Sequence, residues 1–186
     1  MSEVWFTADT HFGHARVIAL ARRPFSDVRE MDEAMIRGWN EVVQPDDTVW
    51  HLGDFAFGDA AGRIDAIFHR LNGRKHLLLG NHDDDNQAVM SLPWASMSML
   101  TWVVVDGTMI AMCHYPMRAW PYSQKGAIHL FGHMHGKLKG TSRSLDVGVD
   151  VWGFRPVTLA QIKRRLSTLK PDPELQGPED EGGALR

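Results

Sequence analysis

The sequence predicts a mixed α/β layered fold, and three observations carry that expectation. Short apolar runs alternate with helical patterns early in the chain. A tight hairpin signal follows, and five apolar runs each end directly in a polar cluster. With 186 residues, 44% hydrophobic and 23% charged, the chain suits one domain able to bury a core.

The elements follow in order. Residues 4–8, 48–52, 76–79, 109–113 and 128–131 read as strands, being short, apolar and bounded by turn-forming residues. Between the first two, Val28, Met31, Ala34, Met35, Trp39, Val42 and Val43 recur at helical spacing over 28–43, with Asp27 as N-cap and Pro45 past the end. A shorter helix over 63–71 stops near Asn72-Gly73. Strands at 102–105 and 108–113 flank Asp106-Gly107, a dipeptide suited to a two-residue hairpin. Residues 147–151 read as a late strand and 159–169 as a closing helix. The domain is expected over 1–169, followed by an acidic tail over 170–186 too polar to offset its ordering entropy.

Composition narrows the function. The segment 170–186 holds two basic and five acidic residues, so the net charge of −3 lies entirely there and the body is neutral. Nucleic acid is therefore not the favoured partner. A single cysteine, Cys113, excludes a disulfide framework or a Cys-rich zinc ribbon. The first residues carry no leader pattern and no uncharged run reaches membrane-helix length, so a cytoplasmic protein with no membrane partner is expected.

The chemistry lies in the polar clusters: Asp9-Thr10-His11, Gly53-Asp54, Gly80-Asn81-His82-Asp83, His114, and Gly132-His133-Met134-His135. If their apolar runs lie in sheets, all five sit at strand C-terminal ends, where layered α/β folds build sites. Asp9, Asp54 and Asn81 offer oxygen; His11, His114, His133 and His135 offer imidazole nitrogen. Seven donors are too many for one tetrahedral ion but suit two cations sharing a carboxylate, and the thiolate-free set suits Mn, Fe, Zn, Ni or Co, with Mn favoured. Two aspartates against two divalent cations leave a positive surplus, which suits an anionic phosphate ester attacked by a metal-bridging hydroxide. His82, beside Asn81 but not needed as a ligand, is placed to protonate the leaving oxygen.

In this order, Asp-x-His, Gly-Asp, Gly-Asn-His-Asp, a single His and Gly-His-x-His resemble the calcineurin-like metallophosphoesterase superfamily, over residues 9 to 135 and with a compact bacterial or phage-type pattern. The resemblance implies two mixed sheets packed face to face and flanked by helices. It implies Asp9, His11, Asp54 and His135 on one metal, and Asp54, Asn81, His114 and His133 on the other, with His82 facing substrate. Phe57 stands where the phosphoprotein phosphatase branch carries an aspartate, which disfavours protein phosphatase activity. Asp83 and Asp59 are the candidates for orienting His82. The chain has little room for the capping segments of the larger members.

A phosphodiester or nucleotide-like small molecule is the expected substrate. A small nuclease and a non-catalytic scaffold on the same fold are the alternatives. His14 is expected to line the pocket. Arg118, Trp120 and Tyr122, in a Pro-bounded loop after His114, are expected to form a substrate rim. His51 and His129 read as hydrogen-bonded core residues, and Trp5, Trp39, Trp50 and Trp102 as core.

Overall fold

The computed structural model describes residues 2–58 and 61–172. Asp59 and most of the expected acidic tail, 173–186, lie outside the described residues. Five strands form the first sheet in the order β4-β3-β2-β1-β9: β1 (Val4–Thr7), β2 (Thr48–His51), β3 (Arg74–Leu78), β4 (Ser96–Ser98) and β9 (Val157–Thr158). Strands β1 to β4 run parallel, with β9 antiparallel at the edge. The second sheet has the order β5-β6-β7-β8, from β5 (Leu100–Val105), β6 (Thr108–Cys113), β7 (Ile128–Phe131) and β8 (Ser144–Asp146). The β5–β6 pair is antiparallel and the remaining pairs are parallel. The fold is thus α/β, with two mixed sheets and flanking helices.

Alternation along each strand builds two cores. Phe6, Leu52 and Leu78 turn from the first sheet toward Ile110, Met112 and Leu130 of the second, and this inter-sheet core is closed by Leu159, Ile162 and Leu166 of α5 (Leu159–Leu166). The opposite face of the first sheet packs Val49 and Leu77 against Met31, Met35, Ile36 and Trp39 of α2 (Val28–Asn40), and against Ile64, Ile67 and Phe68 of α3 (Ala61–Arg70). Two shorter helices, α1 (Ala15–Leu20) and α4 (Gln87–Met90), follow β1 and β3.

Local chemistry explains the boundaries. The Asp27 carboxylate accepts from the Arg29 and Glu30 amides and starts α2, as expected. Thr158 and Gln161 form a reciprocal capping box at α5. Asp106 and Gly107 both adopt positive φ (45° and 71°), the geometry that joins β5 to β6 in two residues. His51 and His129 are buried. His51 Nε2 lies 2.9 Å from Thr10 Oγ1, whose hydroxyl donates to the Phe55 carbonyl, and His129 Nδ1 lies 3.2 Å from the Ala111 carbonyl. Burial pushes their pKa values down, to about 3 and about 4.

Two expectations are corrected. The late strand is Ser144–Asp146, and 149–151 forms a 3-10 turn. The cause is the Asp146 side chain, which accepts from the Gly148 amide at 2.7 Å and bends the chain out of the sheet. Trp102 is not core but 47% exposed. In β5 it lies on the outer face with Val104, while Val103 and Val105 turn inward.

Candidate metal centre

The loops at the C-terminal ends of β1, β2, β3, β6 and β7 converge, and they carry the five polar clusters. Five of the seven expected ligands (Asp9, His11, Asp54, His133 and His135) adopt left-handed backbone with φ between 47° and 68°. Such a conformation costs a non-glycine residue about 1 kcal/mol or more and persists where surrounding structure over-determines it. Here the loops are locked to one another. The Asp9 amide donates to Gly53 O, and the His11 amide to Asp54 O. The His133 amide donates to both Asp9 carboxylate oxygens, at 2.9 and 3.0 Å. Gly53 is required at this crossing, since a Cβ there would strike the His114 ring and the Gly80 backbone.

The donors gather in three groups whose ligand atoms lie within 4.8 Å of one another: Asp9, His11 and His135; Asp54, His114 and His133; and His11, Asp54 and His82. Asp54 joins them. Its Oδ2 stands 3.5 Å from His11 Nε2 and 3.5 Å from His114 Nε2. Asn81 Oδ1 lies 3.3 Å from His114 Nε2. All seven expected ligands therefore come together, with His82 beside them.

The electrostatics of the cluster are unbalanced as the protein alone. Burial, reinforced by Asp146 and Asp54, holds the Asp9 carboxyl well above its ordinary pKa, and burial raises Asp54 as well. Burial holds His11 well below the usual imidazole value and His114 down to about 4. Both ring nitrogens of His11 are buried with no hydrogen-bond partner. An imidazole stripped of water and left unpaired is costly unless something else takes its lone pair. Divalent metal fits this donor set: it would take the one ligating lone pair of the neutral His11 ring and hold the neighbouring aspartates ionised.

Ring orientation is prepared from outside. His114 Nδ1 donates to the Leu52 carbonyl at 2.7 Å, which turns Nε2 toward Asp54. His135 Nδ1 lies 2.7 Å from Asp150 Oδ2, and Asp150 is in turn gripped by Arg23 through Nε at 2.8 Å and Nη2 at 2.9 Å. Arg23 also donates to the carbonyls of Asp9 and Thr10. Asp150 was not legible as a functional residue; its part depends on the Asp146 bend that places it under His135. Burial alone would raise its carboxyl, but the hydrogen bonds from His135 and Arg23 prevail and hold it below the usual range.

Asp150→Asn keeps the shape and removes the charge, so metal affinity is expected to fall about 10–100-fold in a competition titration. The metal-free protein should also lose about 3 kcal/mol near neutral pH, since Arg23 is left as an unpaired buried charge. Because the Asp150 carboxyl is held low, the advantage of the native chain should fade as pH falls below the carboxylate range. Unchanged affinity would remove Asp150 from the site.

Asp83 does not orient His82. Its carboxylate is spent on the amides of Asp54, Phe55 and Gly80, at 2.7 to 3.0 Å, and so braces two of the ligand loops. His82 is held by its own amide, which donates to Asp54 Oδ1 at 3.0 Å. His14 lines the cleft of about 210 Å3 bordered by His11, Asp54, Asn81, His133 and His135, together with Lys137 and Leu20, which sequence reasoning had not singled out. Its ring stacks on Phe57 with centroids 4.0 Å apart.

The expected rim is corrected. Trp120 is only 5% exposed; its indole donates to the Ala127 carbonyl at 2.9 Å and its ring stacks on His129. The loop folds back over the outer face of the second sheet, where Trp120 packs with Ala111 and Ala127. Tyr122 meets Trp102 edge-on at 5.5 Å on that same face. Neither they nor Arg118 line the donor cleft.

Fold and cluster define an α/β sandwich protein with a His/Asp/Asn donor site at the strand ends. The chain belongs to the family of the Gene 66 protein of Mycobacterium phage L5, to which it is 32% identical over 185 residues, covering 82% of this chain and 89% of the phage protein. It is 29% identical over 174 residues to the uncharacterized protein MJ1445 of Methanocaldococcus jannaschii, covering 89% and 92% of the two chains. Among solved structures, AQ665 of Aquifex aeolicus, a protein of unknown function, shares the fold with a TM-score of 0.70 at 21% identity, covering 89% of this chain and all of that one. No protein-family model matches the chain. No helix among the described residues is long and apolar enough to cross a membrane.

Proposed function

We propose that the chain is a metal-dependent hydrolase of phosphate esters, with a phosphodiester or nucleotide-like small molecule as substrate. The observation that carries this is Asp54 Oδ2 standing 3.5 Å from each of two imidazole nitrogens that belong to separate donor groups. Asp9, His11, His135 and Asp54 would hold one divalent cation, and Asp54, Asn81, His114 and His133 a second, with Mn favoured. Such a pair supplies charge for the phosphate oxygens and acidifies bound water.

The chain's own residues do the rest. Asp150 and the Leu52 carbonyl fix the rings of His135 and His114, so donor geometry exists before substrate arrives. Lys137 at the mouth of the cleft draws the anion in. His82, held through its amide on Asp54, delivers a proton from its ring to the leaving oxygen as the P–O bond breaks. The ring stands edge-on to His11 at 5.3 Å and to Phe57 at 5.6 Å.

The test is metal analysis joined to turnover. Chelator-stripped protein should be inert toward bis-p-nitrophenyl phosphate, regain turnover with Mn2+ or another of the five ions, and bind close to two ions per chain. Full turnover by stripped protein, or none with any ion, would end the reading.

A further inference from the structure

Beside the donor cleft lies a larger groove of about 720 Å3 that shares Asn81 and His82 with it. It starts at Phe57 and runs out past Asp65, Asp85 and Gln87. Its volume suits a drug-sized or nucleoside-sized group. Two features make it specific. The first is Phe57, a large apolar side chain 43% exposed beside a polar centre. Its backbone is pinned, with the Phe57 amide donating to Phe12 O at 2.9 Å, and its ring is backed by His14 at 4.0 Å, nearly parallel (12°). An aromatic held by its main chain and supported on one face is a stacking surface for a planar group. The second is charge. Among the described residues, the lining contains Asp65 and Asp85 but neither Lys nor Arg.

We propose that this groove receives the leaving alcohol of the substrate, that Phe57 is its stacking platform, and that it selects leaving groups that are planar and carry no negative charge. The inference rests on the phosphoesterase reading, because His82, which borders both spaces, is what marks the groove as the leaving-group side. As a water oxygen bonds to phosphorus and the P–O bond to the alcohol breaks, the alcohol oxygen takes the bonding pair and the proton from His82, the phosphate keeps the new hydroxyl, and the freed alcohol departs along the groove. A polynucleotide is disfavoured, since its next phosphate would enter between two carboxylates.

The test compares two diesters of methyl phosphate on the metal-loaded full chain, one of 4-nitrophenol and one of the same phenol bearing a ring carboxylate. Each kcat/KM is normalised to the ester's rate of hydroxide hydrolysis. The uncharged ester should be favoured about tenfold, a size expected for a unit charge near two partly solvated carboxylates. Phe57→Ala should lower kcat/KM for the uncharged ester about fivefold, mainly through KM, and Phe57→Trp should restore it. Asp65→Asn with Asp85→Asn should narrow the gap between the esters. Equal normalised efficiencies, an unaffected Phe57→Ala variant, or efficient oligonucleotide cleavage would overturn the inference while leaving the hydrolase intact. Turnover of neither ester with any ion would overturn the phosphoesterase reading, and this inference with it.

Discussion

Asp54→Asn is expected to lower ester hydrolysis by about 10^3-fold or more while raising the melting temperature of the metal-free protein at neutral pH. The two effects share one cause. Asp54 is buried at the centre of the donor cluster, and burial holds its carboxyl above the ordinary value. Without metal, its ionisation at pH 7 therefore disfavours the native state. That penalty grows as pH rises through the raised pKa and is absent below the ordinary carboxylate pKa, where the group is protonated in both states. Asparagine keeps an oxygen for the His82 amide and carries no charge, so the metal-free fold gains. Each 1 kcal/mol is worth about 2–4 °C in a domain of this size. His114→Ala provides the contrast. It should also abolish turnover and lower metal occupancy, but it empties a fully buried ring site and so should melt earlier. Melts in EDTA at pH 7 and pH 4, with metal analysis, check both. An Asp54→Asn protein that retains metal and turnover, or one less stable than the native chain in EDTA at pH 7, would show that this carboxylate serves the fold and not a cation.

That opposition between stability and function marks what the sequence could disclose. The five clusters were legible because each places charged or amide side chains where an apolar strand has just ended, a position that core packing never asks for. Their order along the chain carries the family resemblance, and it was that resemblance that implied two facing sheets. What stayed hidden depends on partners far apart. Arg23 and Asp150 are 127 residues distant, and only the Asp146 bend, which also displaced the expected late strand, brings Asp150 under His135. Trp120 was misplaced for a related reason. A Pro-bounded aromatic loop reads the same whether it rims a cleft or folds back on a sheet, and the deciding contact is His129, on the neighbouring strand. Phe57 was noticed as a departure from one enzyme branch. That it is exposed, and backed by His14, is visible only in three dimensions.

The second large effect concerns His82, whose surroundings admit two roles. Its ring nitrogen groups with a His11 ring nitrogen and an Asp54 carboxylate oxygen as a ligand would, yet it also borders the groove proposed for the leaving group. His82→Ala separates these roles. As a proton donor, its loss should leave both metals bound and lower kcat by about 10^2-fold for alkyl esters, within the usual range for general acid catalysis. The same variant should barely slow esters of acidic phenols such as p-nitrophenol, because their oxygen departs without help. A plot of log kcat against leaving-group pKa should therefore be steeper for the variant than for the native enzyme. As a ligand, its loss should instead lower metal content and slow every ester alike. Half-buried and tied to Asp54 through its amide and not its ring, His82 lines both the cleft and the groove. That position between the two spaces is what a group handing a proton to a departing oxygen needs, and a ring spent on a cation would have no lone pair left to carry that proton.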